Sequence, residues 1–252
     1  MSTVLILGGT GEARQLAARL EADGLRVVSS LAGRVSRPAL PVGEVRIGGF
    51  GGPPGLADYL RAAGIDAVVD ATHPFAARIS ASAAEAAALA AVPLLRLQRP
   101  GWREHPDADR WTWVPDVDAA REAASAARRP FLTTGRQSLP AFLPWADRAV
   151  VARVVDPPDL TLPEPWTLLV ARGPYERAAE RALMEEHRVD WLLTKDSGGD
   201  LTAAKLDAAA DLGLPVVVIE RPAPPPGVPL VATIPDAHRL VRTQLAARSP
   251  ST

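Results

Sequence analysis

Cysteine is missing from all 252 residues. Disulfides, thiolate metal sites and cysteine nucleophiles are therefore excluded. An excess of charge of either sign is missing too: 28 lysines and arginines face 29 aspartates and glutamates, for a formal net charge of −1. That balance gives no electrostatic case for nucleic acid or an anionic membrane as partner. No apolar run approaches the ~20 residues of a membrane-spanning helix. The first residues pass into an apolar stretch without the charged flank or cleavage site of a signal peptide. A cytoplasmic protein is the expectation. Lysine is scarce as well. Lys195 and Lys205 are the only two among the basic side chains, and they share one short window. Arginine does not release its proton in a protein, whereas lysine can be tuned to do so. The window around Lys195 is thus a place where a primary ammonium has a use.

What is present begins with Val4-Leu5-Ile6-Leu7, an apolar run that suits a strand buried on both faces. Gly8, Gly9 and Gly11 break it, and Ala13, Leu16, Ala17 and Leu20 then recur at helical spacing. Strand, glycine-rich turn and helix form the opening half of a nucleotide-binding βαβ unit. The first N–H groups of a helix lack internal partners and carry partial positive charge, so a phosphate can be held there. Two features argue against this. A strict G-x-G-x-x-G from Gly9 needs glycine where Arg14 stands, and Glu12 brings negative charge into the first turn. A tight turn without a ligand is the alternative.

Further along, residues 25–30 read as a second strand. An acidic residue at its tip would hold the free ribose hydroxyl of NAD, yet none occurs between Leu25 and Gly43. Ser29, Ser30, Arg34 and Arg37 stand there instead, which suits a 2′-phosphate and favours NADPH over NADH. A strand over 44–47 ends in Gly48-Gly49-Phe50-Gly51-Gly52, a loop of positive φ angles or close backbone approach. A helix over 56–63 follows. The next strand, 67–70, runs into Ala71-Thr72-His73-Pro74-Phe75. Pro74 suits the first position of a helix over 74–91, with His73 as its cap. Histidine is not a favoured cap, so its place at a strand end suggests a use in the site.

A fifth strand over 94–97 precedes a change of pattern, in which Pro100, Pro106 and Pro115 alternate with Trp102, Trp111 and Trp113. At this length two domains are comfortable, and the boundary is placed near 100: residues 1–100 as the nucleotide-binding domain and 101–252 as the second. The second half again alternates, with strands expected at 130–134, 149–154, 167–171, 190–194 and 215–219. Helices are expected near 116–127, 174–187, 201–211 and 235–247. Five prolines between Pro222 and Pro229 form a rigid loop into the last strand and helix. The fold class is α/β with largely parallel sheets. In the second half the strand ends carry Arg136, Arg153, Arg172, Lys195 and Arg221. In a parallel sheet these gather at one edge and suit a polyanion, each carboxylate met by a charge-assisted hydrogen bond. An arginine-rich chain also places some of them there by chance.

Several motifs together resemble the precorrin-6A reductase (cobalt-precorrin-6A reductase) family of cobalamin biosynthesis. They are Gly8-Gly9-Thr10 with Glu12-Ala13-Arg14, Ala32-Gly33-Arg34, and Arg46-x-Gly48-Gly49-Phe50-Gly51-Gly52. Further matches are Asp70-Ala71-Thr72-His73-Pro74-Phe75-Ala76, Leu95-Arg96-Leu97-x-Arg99-Pro100-x-Trp102, Thr134-Gly135-Arg136 and Thr194-Lys195-Asp196-Ser197-Gly198. The resemblance implies two Rossmann-like domains enclosing a cleft. It implies NADPH-dependent reduction of a ring double bond, with hydride delivered to carbon 19 of the macrocycle and a proton to its neighbour. Precorrin-6A, or its cobalt form, would become precorrin-6B. Gly8, Gly9, Thr10, Ser30, Arg34, Gly49, Phe50, Gly51 and Thr72 are the implied cofactor contacts. Arg136, Arg153, Arg172, Asp196 and Ser197 are expected to face the tetrapyrrole, a small-molecule polycarboxylate. Lys195 is the expected proton donor, with Asp196 or Ser197 orienting it, His73 is the second candidate, and a positioned water is a third. No metal is needed, because the nicotinamide carries the hard chemistry. Contact with neighbouring pathway enzymes is a further expectation. The alternative is a non-catalytic NADP(H)-binding sensor of the atypical short-chain-dehydrogenase type. Tyr59 and Tyr175 are followed four residues later by alanine, so no Tyr-x-x-x-Lys pair exists, and such a sensor has no need of a cationic rim.

Overall fold

The computed structural model describes residues 1–33, 40–199 and 202–248. The chain divides into two units, residues 1–99 with 222–252, and residues 100–221. The first contains β1 (Thr3–Leu7), α1 (Gly11–Ala22), β2 (Arg26–Leu31), β3 (Glu44–Ile47), α2 (Gly52–Ala62), β4 (Ala67–Asp70), α3 (Ala77–Ala90) and β5 (Leu94–Leu97). The second contains β6 (Thr112–Val114), α4 (Val117–Ala123), β7 (Pro130–Thr133), a 3-10 helix (Arg136–Trp145), β8 (Val151–Val154) and β9 (Thr167–Val170). It continues through α5 (Arg177–Glu186), β10 (Trp191–Lys195), α6 (Ala204–Asp211) and β11 (Val216–Ile219). The chain then returns to the first unit for β12 (Leu230–Val231) and α7 (Ile234–Arg248).

Each unit holds a six-stranded sheet in which every recorded pairing is parallel. The first has the order β12-β5-β4-β1-β2-β3 and the second β6-β11-β10-β7-β8-β9. Five strands of each share one wiring plan, and the sixth differs, since β12 is the last strand of its unit and β6 the first. A central strand (β1 or β7) is followed by two strands laid outward on one side, and the chain then jumps back to continue on the other. That reversal falls between β1 and β4 in the first sheet and between β7 and β10 in the second. Doubly wound sheets bind ligands at such points, outside the carboxyl ends of the strands.

Burial on both faces explains the continuous apolar strands. In β1, Val4 and Ile6 pack with Leu16 and Leu20 of α1 and with Val241 of α7. Leu5 and Leu7 face the other way, onto Leu56 and Leu60 of α2 and Ala83 and Ala86 of α3. In the second sheet Phe131, Leu192 and Val218 pack with Met184 of α5 and Leu206 of α6. Among the described residues no helix is long and apolar enough to cross a membrane.

Two expectations are corrected, and one element goes unindicated by the sequence. Residues 222–252 do not stay with the second domain. β12 pairs with β5, and α7 supplies Ala237, Val241 and Leu245 to the core that α1 also covers. The helix expected from Pro74 starts at Ala77 instead, because Pro74 and Phe75 form a turn closed by the Ala76 N–H on the His73 carbonyl at 2.8 Å. The segment after Gly135 is a ten-residue 3-10 helix carrying Pro140 and Pro144, which the sequence pattern does not indicate. Since Val241 is fully buried, Val241→Asp is expected to lower unfolding stability by at least about 3 kcal/mol in urea titration. A loss under about 1 kcal/mol, the size of a surface change, would contradict this docking of α7.

Candidate functional sites at the carboxyl edge of each sheet

The first reversal point is built from backbone. Gly8 follows β1, and its N–H donates to the Ser30 carbonyl at 2.9 Å. A Cβ on Gly8 would stand 3.4 Å from Leu31 and 3.6 Å from Ala13, in ordinary contact with both. Gly9 is at φ +114°, and a Cβ there would meet nothing within 4 Å, so the backbone faces open space. Thr10 caps α1. Its hydroxyl accepts from Ala13 N–H at 3.1 Å and donates to the Ala71 carbonyl at 2.8 Å, which ties the two loops flanking the reversal point together. Its side chain is therefore engaged within the protein. The negative charge of Glu12 is met by Arg99, whose Nη1 lies 3.1 Å from both carboxylate oxygens. Burial acts to raise the Glu12 carboxyl, but its own backbone N–H, Arg99 and Thr10 outweigh this and hold it below the usual glutamate value. The objection that Glu12 repels a phosphate is thereby weakened. The glycine turn, open space and helix terminus fit the pyrophosphate of a dinucleotide.

Two more loops reach the same edge. Ser29 and Ser30 are buried near the end of β2, while Arg34 and Arg37 lie outside the described residues. After β3, Arg46 stacks on Phe50 at 3.8 Å and donates to the carbonyls of Gly48 and Gly49, each at 2.7 Å. Gly51 then caps α2 at φ +82°. Gly55 is forced to be glycine, since a Cβ there would stand 2.0 Å from the Phe50 carbonyl oxygen.

At the end of β4 a buried network appears. Asp70 and Arg96 sit opposite each other in the β4–β5 register, both 2% exposed. One carboxylate oxygen of Asp70 accepts from Arg96, and the other accepts from the Thr72 hydroxyl at 2.6 Å and its N–H at 3.1 Å. Arg96 also donates to Ser80 of α3 at 2.5 Å and to Gln98 at 2.9 Å. His73 does not cap α3. Its Nδ1 accepts from the Phe75 N–H at 3.2 Å, and the ring stands at the half-buried tip of the loop.

The second reversal point lies between Thr133-Thr134-Gly135-Arg136 and Lys195-Asp196-Ser197. Lys195 ends β10 and is half-buried, and burial pushes its ammonium below the ordinary lysine value. The Ser197 N–H bonds back to the Lys195 carbonyl at 2.6 Å. Arg136 donates to the Pro157 carbonyl at 3.2 Å, and Arg172 is exposed. Two predicted contacts are withdrawn from the rim. Arg153 is 7% exposed, forms a two-pronged pair with Glu180 and lies 3.8 Å from the Tyr175 ring. Asp196 is 4% exposed, and its carboxylate is engaged by Arg221 at 3.0 Å and by the Trp102 N–H at 2.9 Å. Lys205 is buried too, 4.6 Å over Trp102. Among the described residues no group of three or more His, Asp or Glu side chains is placed to hold a metal ion.

Asp70, Arg96 and Arg99 are structural charges to which the sequence pattern assigns no role. Arg221, expected among the rim cations, is instead spent on Asp196. A signal for such pairs exists in the sequence, since a charge set between leucines in a buried strand, as at Arg96, demands a partner.

Two doubly wound parallel sheets, each with a reversal point, define a Rossmann-like α/β protein. The chain belongs to the family described as Precorrin-6x reductase CbiJ/CobK, whose model matches residues 3–242. It is 52% identical to precorrin-6A reductase of Rhodococcus erythropolis, over 96% of this chain and 98% of that one. To the Mycobacterium tuberculosis protein of the same name it is 50% identical, covering 95% and 96%. A solved structure titled CobK precorrin-6A reductase superposes with a TM-score of 0.89 at 41% identity, covering 97% of each chain. A reductase family implies a nicotinamide cofactor. The sensor reading finds no support, because the match spans both units and these relatives are named reductases.

Breaking the Arg153–Glu180 pair leaves a charge buried alone. Glu180→Gln is therefore expected to cost about 3–5 kcal/mol in chemical unfolding, with ligand affinities preserved in the folded fraction. A variant as stable as the parent would contradict the assignment of this pair to the core.

Proposed function

We propose that this chain uses NADPH to reduce a ring double bond of precorrin-6A, giving precorrin-6B. The observation that carries the reading is the difference between the two reversal points: glycines and a helix terminus in the first, basic side chains in the second. In the first unit the backbone of Gly8, Gly9 and Thr10 receives the pyrophosphate. Ser30 and Arg34 are assigned to the 2′-phosphate, and Gly49, Phe50, Gly51 and Thr72 line the remainder. In the second unit Arg136, Arg172 and Ser197 meet acetate and propionate groups. Names of relatives favour the metal-free ring: those at 52% and 50% identity are called precorrin-6A reductase, and one at 32%, from Priestia megaterium, cobalt-precorrin-6A reductase.

Bound NADPH supplies hydride to one carbon of the double bond. The chain must supply a proton to the other, and Lys195 is assigned that role, with His73 second. An ordinary lysine, at pKa ~10.4, is a weak donor near neutrality, and the burial of Lys195 improves it. The acid form is the active one, so turnover is present below the Lys195 pKa and lost as pH rises through it.

Purified protein is expected to oxidise NADPH faster than NADH with metal-free precorrin-6A, and more slowly with the cobalt-loaded ring, in an absorbance assay. Equal rates with the two nucleotides would remove the roles of Ser30 and Arg34. Lys195→Ala is expected to keep NADPH affinity and lose about 10²–10⁴-fold in turnover. The parent should show an alkaline limb in kcat below the ordinary lysine value, which the variant lacks. Unchanged turnover in the variant rules Lys195 out as donor.

A further inference from the structure

Both units place a buried aspartate–arginine pair near the carboxyl ends of the strand beyond the reversal and its outer neighbour. β4 and β10 are each the first strand beyond the reversal, and β5 and β11 are their outer neighbours. Asp70 is the last residue of β4 and pairs with Arg96 inside β5, its register partner, while Asp196 directly follows β10 and pairs with Arg221, two residues beyond the end of β11. In each carboxylate one oxygen pairs with the arginine and the other accepts a loop N–H, although the Arg221 Nη2 also reaches Oδ1 of Asp196 at 3.2 Å. Oδ2 of Asp70 takes the Arg96 guanidinium while Oδ1 takes the Thr72 N–H at 3.1 Å. Oδ2 of Asp196 pairs with the Arg221 Nε at 3.0 Å while Oδ1 takes the Trp102 N–H at 2.9 Å.

Such a pair is a poor device for stability alone, since apolar residues of similar volume are often as good or better. Its use is directional. A carboxylate held by a buried guanidinium can accept only from fixed positions, so it sets the backbone N–H that comes to it. In the first unit that N–H belongs to the loop with Thr72 and His73. In the second it belongs to the entering segment 100–102, which is pressed onto the Lys195 loop. A Cβ on Gly101 would stand 2.5 Å from Asp196 Oδ2, and one on Gly198 2.1 Å from the Pro100 carbonyl oxygen. The Arg221 Nη2 adds a bond to the Asp196 carbonyl at 3.1 Å, which fixes the backbone immediately after Lys195.

We propose that Asp70–Arg96 and Asp196–Arg221 are equivalent positioning pairs, the first setting the loop that receives the cofactor and the second setting Lys195 for proton delivery. This rests on the functional reading above and adds to it a separation of effects. Neither pair is a catalytic group; each acts through the loop it holds.

The test uses the full chain with four substitutions: Asp70→Asn and Ser80→Ala on the first pair, Asp196→Asn and Arg221→Lys on the second. Ser80→Ala and Arg221→Lys keep the buried charges matched, so they remain informative if an asparagine variant fails to fold. The NADPH Kd is read by fluorescence titration, kcat with precorrin-6A by absorbance, and folding by thermal melting. First-pair variants are expected to weaken NADPH about tenfold, the size expected when a buried polar partner is lost. Second-pair variants are expected to lower kcat by about the same factor while the NADPH Kd stays that of the parent. Folded variants in which Kd and kcat move together for both pairs, or in which neither moves, overturn the proposal. A parent protein that binds NADPH but never oxidises it with precorrin-6A defeats the functional reading instead, and the titrations of the first pair still stand as a test.

Discussion

A guanidinium and a carboxylate, both cut off from water at the end of a parallel strand, are the constraint on which the rest of this structure depends. Asp70 and Arg96 satisfy one another within the β4–β5 register, and the oxygen left over fixes Thr72. Removing either partner strands a charge in a low-dielectric interior, which costs about 3–5 kcal/mol. The loop is therefore not adjustable by small side-chain movements. Its shape is tied to the integrity of the core beneath it, and through Thr10 and the Ala71 carbonyl the same rigidity reaches the glycine turn at the start of α1.

Parallel pairing does the rest of the placement. All strands of a parallel sheet end at one edge, so residues scattered along the sequence (Gly9, Ser30, Phe50 and Thr72 in the first unit) arrive together without any local motif joining them. The second sheet repeats the arrangement with different chemistry. Its edge carries Arg136, Arg172 and Lys195 on a chain whose overall charge is only −1, so the basic character is local. The acids at that edge are engaged by other arginines, Asp196 by Arg221 and Glu220 by Arg103, while Glu180 is spent on Arg153 within the core.

Much of this plan is legible in the sequence because it rests on local pattern. Apolar runs ended by glycine or aspartate locate the strands, and the glycine-rich turn after Leu7 locates the first reversal point. Two kinds of information are not local. The return of residues 222–248 to the first unit is a long-range pairing of β12 with β5, and a proline-rich approach gives no hint of which sheet it joins. The fate of an arginine at a strand end depends on whether an acid from a distant helix faces it. Arg153 and Arg172 look alike in sequence, yet Glu180 of α5 takes the first into the core and leaves the second exposed. His73 looks like a helix cap in the sequence because proline at a helix start and proline in a turn have the same φ. Charged residues inside apolar strands, Arg96 above all, are the signal for the positioning pairs.

Ligand chemistry in this protein is confined, on this account, to the carboxyl edges of its parallel strands. Amide hydrogen exchange with and without NADPH measures that most directly. The expected result is new protection in the segments around Gly8–Glu12, Gly48–Gly52 and Asp70–Phe75, with none at the opposite edge around Ser2, Asp23 and Asp66. Protection at that opposite edge, with the glycine turn unchanged, would contradict it.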